Sequence, residues 1–261
     1  MRIFKISFRR IFLWIATAAC ISFLSAGTVL AADLTVFSAG AVSAVMSQLA
    51  DDFRTKTGHT ISFTVGTVGQ LKEKIEGGAT ADIVFVTPDT MEALVKQGKV
   101  ISDTVVEVGK VGVGVAVREG TPLPDISNED AFRQVLLNAK SLVYADPAKG
   151  ASSGIYFATV LQRLGIADEI KDKTTLLPGG FVLNLVAEGK AEIGVQQITE
   201  IIPVKGVALV GPLPPGLQKI TTYSGAIMTA NVNAGVAAEF LRFVTSKEAA
   251  PRFKAAGFGI F

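Results

Sequence analysis

Four short stretches of this sequence are built largely from small residues: Ser38-Ala39-Gly40-Ala41, Gly66-Thr67-Val68-Gly69, Gly150-Ala151-Ser152-Ser153-Gly154 and Pro178-Gly179-Gly180. Each follows an apolar run and precedes a helical pattern, so each is expected to present a helix N-terminus. Free backbone N–H groups and the positive end of the helix dipole make such a terminus an anion site, and glycine lets a ligand approach the main chain. In open α/β sheets these turns also lie at the carboxyl ends of the strands, where ligands bind. Gly, Ser and Thr are equally ordinary cap and turn residues, so one loop alone would say little. Four loops, two in each half of the chain, point to a shared cleft. The candidate ligand contacts are therefore Gly40, Ala41, Thr67, Val68, Ser152, Ser153 and Gly179. Lys149, beside the serine loop, and Gln197, ending an apolar run, complete the set.

Other chemistries find less support. Gly150 to Gly154 matches the G-x-S-x-G nucleophile pattern, but a serine nucleophile needs a base. The sole histidine, His59, follows Gly58, precedes the serine in the chain and is expected to be a solvated turn residue. No clustered metal-ligand motif and no G-x-x-x-x-G-K-[ST] phosphate loop is visible, so no metal or cofactor is expected. Asp82 and Asp146, at a strand start and a strand end, read as capping or turn residues, and Tyr156 as a packing residue in the first turn of a helix.

The elements that must position these loops follow an α/β pattern, strands joined by crossover helices. Apolar runs at Leu34 to Phe37, Ile61 to Val65 and Ile83 to Val86 alternate with helical segments. In the first helix Val42, Val45, Met46, Leu49 and Phe53 form one apolar stripe, and Gly58 is its stop signal. Lys110 to Val117 reads as a long strand crossing into a second lobe, with Gly112 and Gly114 on one side where another backbone comes close. The pattern then repeats: a strand at Leu142 to Ala145, a helix from about Ser153 to Leu164, a helix after Gly180 and a strand at Ile193 to Gln196. Ile220 to Ile227 reads as a returning strand, followed by two helices. The expected organisation is a leader at 1–31, one lobe from 32–115 with 221–261, and a second lobe at 116–220.

The leader is read from Arg2, Lys5, Arg9 and Arg10, followed by an uncharged stretch from Ile11 to Ala32. A basic start, an apolar middle and small residues ending in Val29-Leu30-Ala31 form a secretory signal cleaved after Ala31. Arg9-Arg10 leaves either of two export routes open. Cleavage removes four positive charges, turning a net charge of +2 into −2. It also removes Cys20 and Trp14, the only residues of their types, so disulfides are excluded from the exported chain. No basic stripe remains, and nucleic acid is not an expected partner.

Leu34-Thr35-Val36-Phe37-Ser38-Ala39-Gly40, Leu71 to Gly78 with Ala81-Asp82-Ile83, and Asp146-Pro147 with Ser153-Gly154-Ile155-Tyr156 and Leu164-Gly165 resemble the periplasmic molybdate-binding proteins. The likeness spans almost the whole exported chain. It implies the type II periplasmic-binding fold, two α/β lobes joined by two crossing hinge strands that close on a small anion. It also implies delivery to an ABC permease in the inner membrane, with a monomer in the periplasm as the form that binds. In that family hydroxyls and backbone N–H groups hold the oxyanion. Here the first-loop serine is matched by Ala41, the second-loop serine by Val68 or Thr67, and a later tyrosine by Gln197. Each lost donor in a dry site costs about 1–3 kcal/mol, and Gln197 and Lys149 suit a larger, asymmetric anion such as a carboxylate. Some exported proteins resembling this family isomerise aconitate, a tricarboxylate. That alternative would need Lys149, Glu200 or a tyrosine as its base, and a binding role is the primary expectation.

Overall fold

The computed structural model describes residues 31–180 and 182–259. The leader falls outside this range. The chain runs through β1 (Asp33–Ala39), α1 (Gly40–Thr57), β2 (Thr60–Gly66), α2 (Val68–Glu76), β3 (Ile83–Val86), α3 (Pro88–Lys96) and the long β4 (Val106–Arg118). It continues through α4 (Glu129–Asn138), β5 (Leu142–Ala145), α5 (Ser152–Arg163), β6 (Thr174–Leu177), α6 (Asn184–Ala187), β7 (Ile193–Gln197) and α7 (Ile198–Ile201). It ends with β8 (Val207–Pro212), β9 (Ile220–Ile227), α8 (Ala234–Val244) and α9 (Ala250–Ala255).

The first half of β4, Val106 to Gly112, pairs antiparallel with β9, while Val113 to Arg118 pairs with β7 and β8. This one strand therefore belongs to two sheets. The strand order β2-β1-β3-β9-β4-β7-β5-β6, with β8 on the other side of β4, is that of a two-lobed type II binding fold. One apolar core gathers Leu34, Val42, Leu49, Phe53, Ile83 and Phe240. The faces of the second sheet carry two further cores, one around Phe132, Phe157 and Val195 and another around Val143, Leu183 and Val186.

Helix α1 forms as its stripe predicts, with Val42, Val45, Met46, Leu49 and Phe53 all buried and Gly58 left-handed at its end. Strands β5 and β9 occupy the expected residues, β7 runs one residue further, and α5 begins and ends one residue earlier than expected. Three expectations need correction. His59 is buried, not solvated: its Nδ1 accepts the Ala32 N–H at 2.9 Å and its ring stacks on Phe53. Asp82 does more than cap, because its buried carboxylate accepts from Thr35, Val232 and Asn233 and ties three segments together. The segment after Gly180 gives only a single-turn helix, α6, beginning four residues later. The left-handed φ angles of Gly179 and Gly180 turn the chain away before a helix can start.

Candidate functional site

Register places the site. Parallel pairing ends with Ala39 opposite Gly66 in one sheet and with Ala145 opposite Leu177 in the other. The loops that follow these strands therefore emerge side by side, and those of both lobes face a single cavity of about 950 Å³. Among the predicted residues, Gly40, Ala41, Thr67, Val68, Ser152, Ser153, Gly179 and Gln197 line it. Lys149 does not: its side chain is exposed, and only its carbonyl turns inward, accepting from the Thr67 hydroxyl.

The four loops are not equivalent. Thr67 caps α2 with its own hydroxyl, which accepts from the Gln70 N–H at 3.1 Å, while the Gln70 side chain accepts from the Thr67 N–H at 2.9 Å. The Gly69 N–H goes to the Gly150 carbonyl at 3.1 Å. That helix entry is already satisfied by protein groups. The Pro178-Gly179-Gly180 loop opens no helix, and instead its Pro178 carbonyl accepts the Gln70 amide at 3.1 Å. By contrast, α1 and α5 begin after Ala39 and Ala151, neither of which offers a capping side chain. One uncapped entry comes from each lobe, and both open into the cavity. At α5 the approach depends on glycine, since a Cβ on Gly154 would collide with the Ala145 carbonyl.

Between these entries lies a polar cluster from β7, α7 and β9. Gln197 is 1% exposed and sends its Nε2 to Thr221 Oγ1 at 3.3 Å, while its Oε1 has no partner among the described residues. Glu200 lines the cavity and lies against Gly40, where a Cβ would collide with Glu200 Oε1. Burial pushes the Glu200 carboxyl up from its ordinary 4.5 to about 7, opposed in part by the Gln196 side chain and the Gln197 N–H. Tyr223, 2% exposed, is raised by burial and by the neighbouring Glu200, with the Ser152 hydroxyl and Gln197 amide working against the rise. Thr199 fixes α7 to the start of α1 by donating to the Ala41 carbonyl at 2.6 Å. Sequence reasoning named Glu200 as one base among several and allowed a tyrosine without identifying it as Tyr223. A lone acid in a one-turn helix and a tyrosine inside a strand carry no spacing signal.

The cavity-lining residues include three ionisable side chains, Glu200, Tyr223 and the exposed Lys205. Main-chain N–H groups and hydroxyls therefore dominate its donors, an arrangement that can hold an anion without a buried cation.

Residues 34–259 match the family model described as bacterial extracellular solute-binding protein. An aconitate isomerase from Pseudomonas sp is 32% identical over 230 residues, covering 86% of each chain. The molybdate-binding protein ModA of Escherichia coli is 30% identical over 250 residues, covering 93% of this chain and 95% of its own. Among solved structures, the periplasmic molybdate-binding protein of Azotobacter vinelandii superposes with a TM-score of 0.74 at 21% identity, covering 87% of this chain and 99% of its own.

Proposed function

The chain belongs to the bacterial extracellular solute-binding protein family, and from that premise we propose that it captures a small carboxylate-bearing anion between its lobes and delivers it to an ABC permease of the inner membrane. The observation that carries this reading is the pair of uncapped helix entries, one from each lobe, opening into one cavity. An anion bridging both would fill donors that the protein leaves free and would hold the lobes together. The volume of about 950 Å³ favours an organic anion. It sits at the upper end of the roughly 300–1,000 Å³ usual for small-molecule sites, well beyond what a tetrahedral oxyanion occupies. The reading takes residues 32–115 with 221–261 as one lobe and 116–220 as the other, acting as a periplasmic monomer after cleavage near Ala31. Calorimetry against molybdate, tungstate, sulfate, phosphate and di- and tricarboxylates tests it. Binding of a carboxylate is expected, and no heat or thermal shift with any of them would sink it.

One observation favours a second reading, an exported isomerase acting on a tricarboxylate. Glu200 is a carboxyl that titrates near neutrality inside the cavity, the property needed of a group that takes and returns a proton at working pH. It would remove a proton from a methylene carbon of an unsaturated acid and return it at the far end of the allylic unit, shifting the double bond with no net change in atoms. Incubating cis-aconitate with the protein in D₂O separates the readings: deuterium uptake or conversion to the trans form supports the enzyme, and binding without exchange supports the carrier.

A further inference from the structure

The ligand cavity contains acceptors as well as donors, and they sit where an anion would come. Glu200 lies against Gly40, at the uncapped start of α1. Gln197 Oε1, nearby on β7, is buried without a donor among the described residues. An anion drawn to the α1 entry would meet the Glu200 carboxylate there, which repels it. In a partly dehydrated cleft that repulsion is weakly screened.

Among the described residues lining the cavity, no buried cation relieves it. From β9 Tyr223 faces Glu200, and from β7 Gln196 and Gln197 do. From α1 come Gly40 and Ala41, while β4 meets α7 where Gly114 rests against Ile198 and Ile201. Among the described residues, the one basic side chain lining the cavity, Lys205, is exposed. What remains is protonation. Glu200 needs little driving force for it near neutral pH, because its carboxyl is already pushed up to about 7.

We propose that the cleft takes up one proton together with its anion, held between Glu200 and a carboxylate of a small organic acid. The inference rests on the anion-binding reading above and adds the proton and the ligand class. An O–H placed between two carboxyl groups replaces a like-charge contact with a charge-assisted hydrogen bond.

Isothermal titration of the purified protein with tricarballylate and citrate, in Tris and HEPES buffers of different ionisation heat, measures the proton directly. At pH 8 about one proton should be taken up per bound anion, and the uptake should fall toward zero by pH 6. The linkage sign is fixed: the complex holds more protons than the free components, so affinity declines as pH rises above about 7, by up to about tenfold per unit. Glu200→Gln mimics the protonated acid; it should abolish the uptake, flatten the pH profile and bind these acids about tenfold or more tightly than wild type at pH 8.5. Binding by wild type with no proton uptake at pH 8 overturns the inference and leaves anion binding standing. Uptake that persists in Glu200→Gln, or tighter binding of molybdate or sulfate than of every carboxylate, does the same. Absence of heat with any anion in both proteins, with thermal melts showing both folded, removes the anion reading and the inference with it.

Discussion

At the scale of single residues, Glu200 has a consequence for the protein without ligand. Its folded carboxyl is raised from 4.5 to about 7, so between those values the folded chain holds a proton that the unfolded chain has released. Stability is therefore highest below the unfolded value and is lost as pH rises through the folded one, the reverse of a salt-bridged acid. Moving a titration midpoint by one pH unit is worth about 1.4 kcal/mol, and water in the open cavity moderates the effect, leaving about 1–3 kcal/mol. Glu200→Gln should accordingly raise Tm at pH 8 by several degrees and have little effect at pH 4.5. Denaturation at the two pH values checks this, and equal gains at both would show that Glu200 is solvated. Ser153, 3% exposed at the start of α5 and lining the cavity, gives a complementary case. Ser153→Ala should weaken ligand binding by about 1–2 kcal/mol, the worth of one buried donor, with an unchanged melting curve. Undiminished affinity would move the site away from this loop.

At the scale of elements, the position of each helix entry depends on what its first turn rests against. The collision between a Cβ on Gly154 and the Ala145 carbonyl involves the end of a central strand, which cannot yield as a flexible side chain would. Gly154→Ala should cost about 1–3 kcal/mol of overpacking and lower Tm by roughly 2–12 °C; an unshifted melt would mean that α5 is less firmly seated. Such seating is only partly legible in sequence. The stripe from Val42 to Phe53 and the apolar runs at Leu142 to Ala145 and Ile220 to Ile227 declare their elements because each buries a continuous face. Strands β6 and β8 went unrecognised: β6 is only half-buried and β8 is interrupted by Gly211 and Pro212. The small-residue loops were visible as helix entries, yet which entries remain open was not. Thr67 caps its own helix through Gln70 and Ala151 has no side chain to do so, but that the Gly69 N–H is also taken depends on a partner far along the chain, the Gly150 carbonyl. His59 was misplaced for the same reason, since its partner Ala32 is 27 residues away.

At the scale of the whole molecule, the rim of the cleft is closed by contacts between the lobes that all end on main-chain carbonyls. Gly69 donates to the Gly150 carbonyl at 3.1 Å, the Thr67 hydroxyl goes to the Lys149 carbonyl, and Gln70 reaches the Pro178 carbonyl. Two glycines make this possible. A Cβ on Gly69 would stand 2.7 Å from the Gly150 Cα, whereas Gly150, at φ 69°, is also conformationally reserved for glycine. The obstacle to Gly69→Ala lies on the opposite lobe, so the substitution should leave the folding of either lobe intact and burden only the closed arrangement. If closure is disfavoured by about 1–3 kcal/mol and the closed form is the one that retains ligand, apparent affinity falls with its population, by roughly 5–100-fold. The expected signature is weaker binding with faster release, a larger radius of gyration by small-angle scattering and a melting temperature close to wild type without ligand. Gly150→Ala should add a loss of stability, because it also strains a left-handed turn. Unchanged affinity and scattering in Gly69→Ala would mean that the rim contact follows from ligand capture elsewhere in the cavity and does not govern it.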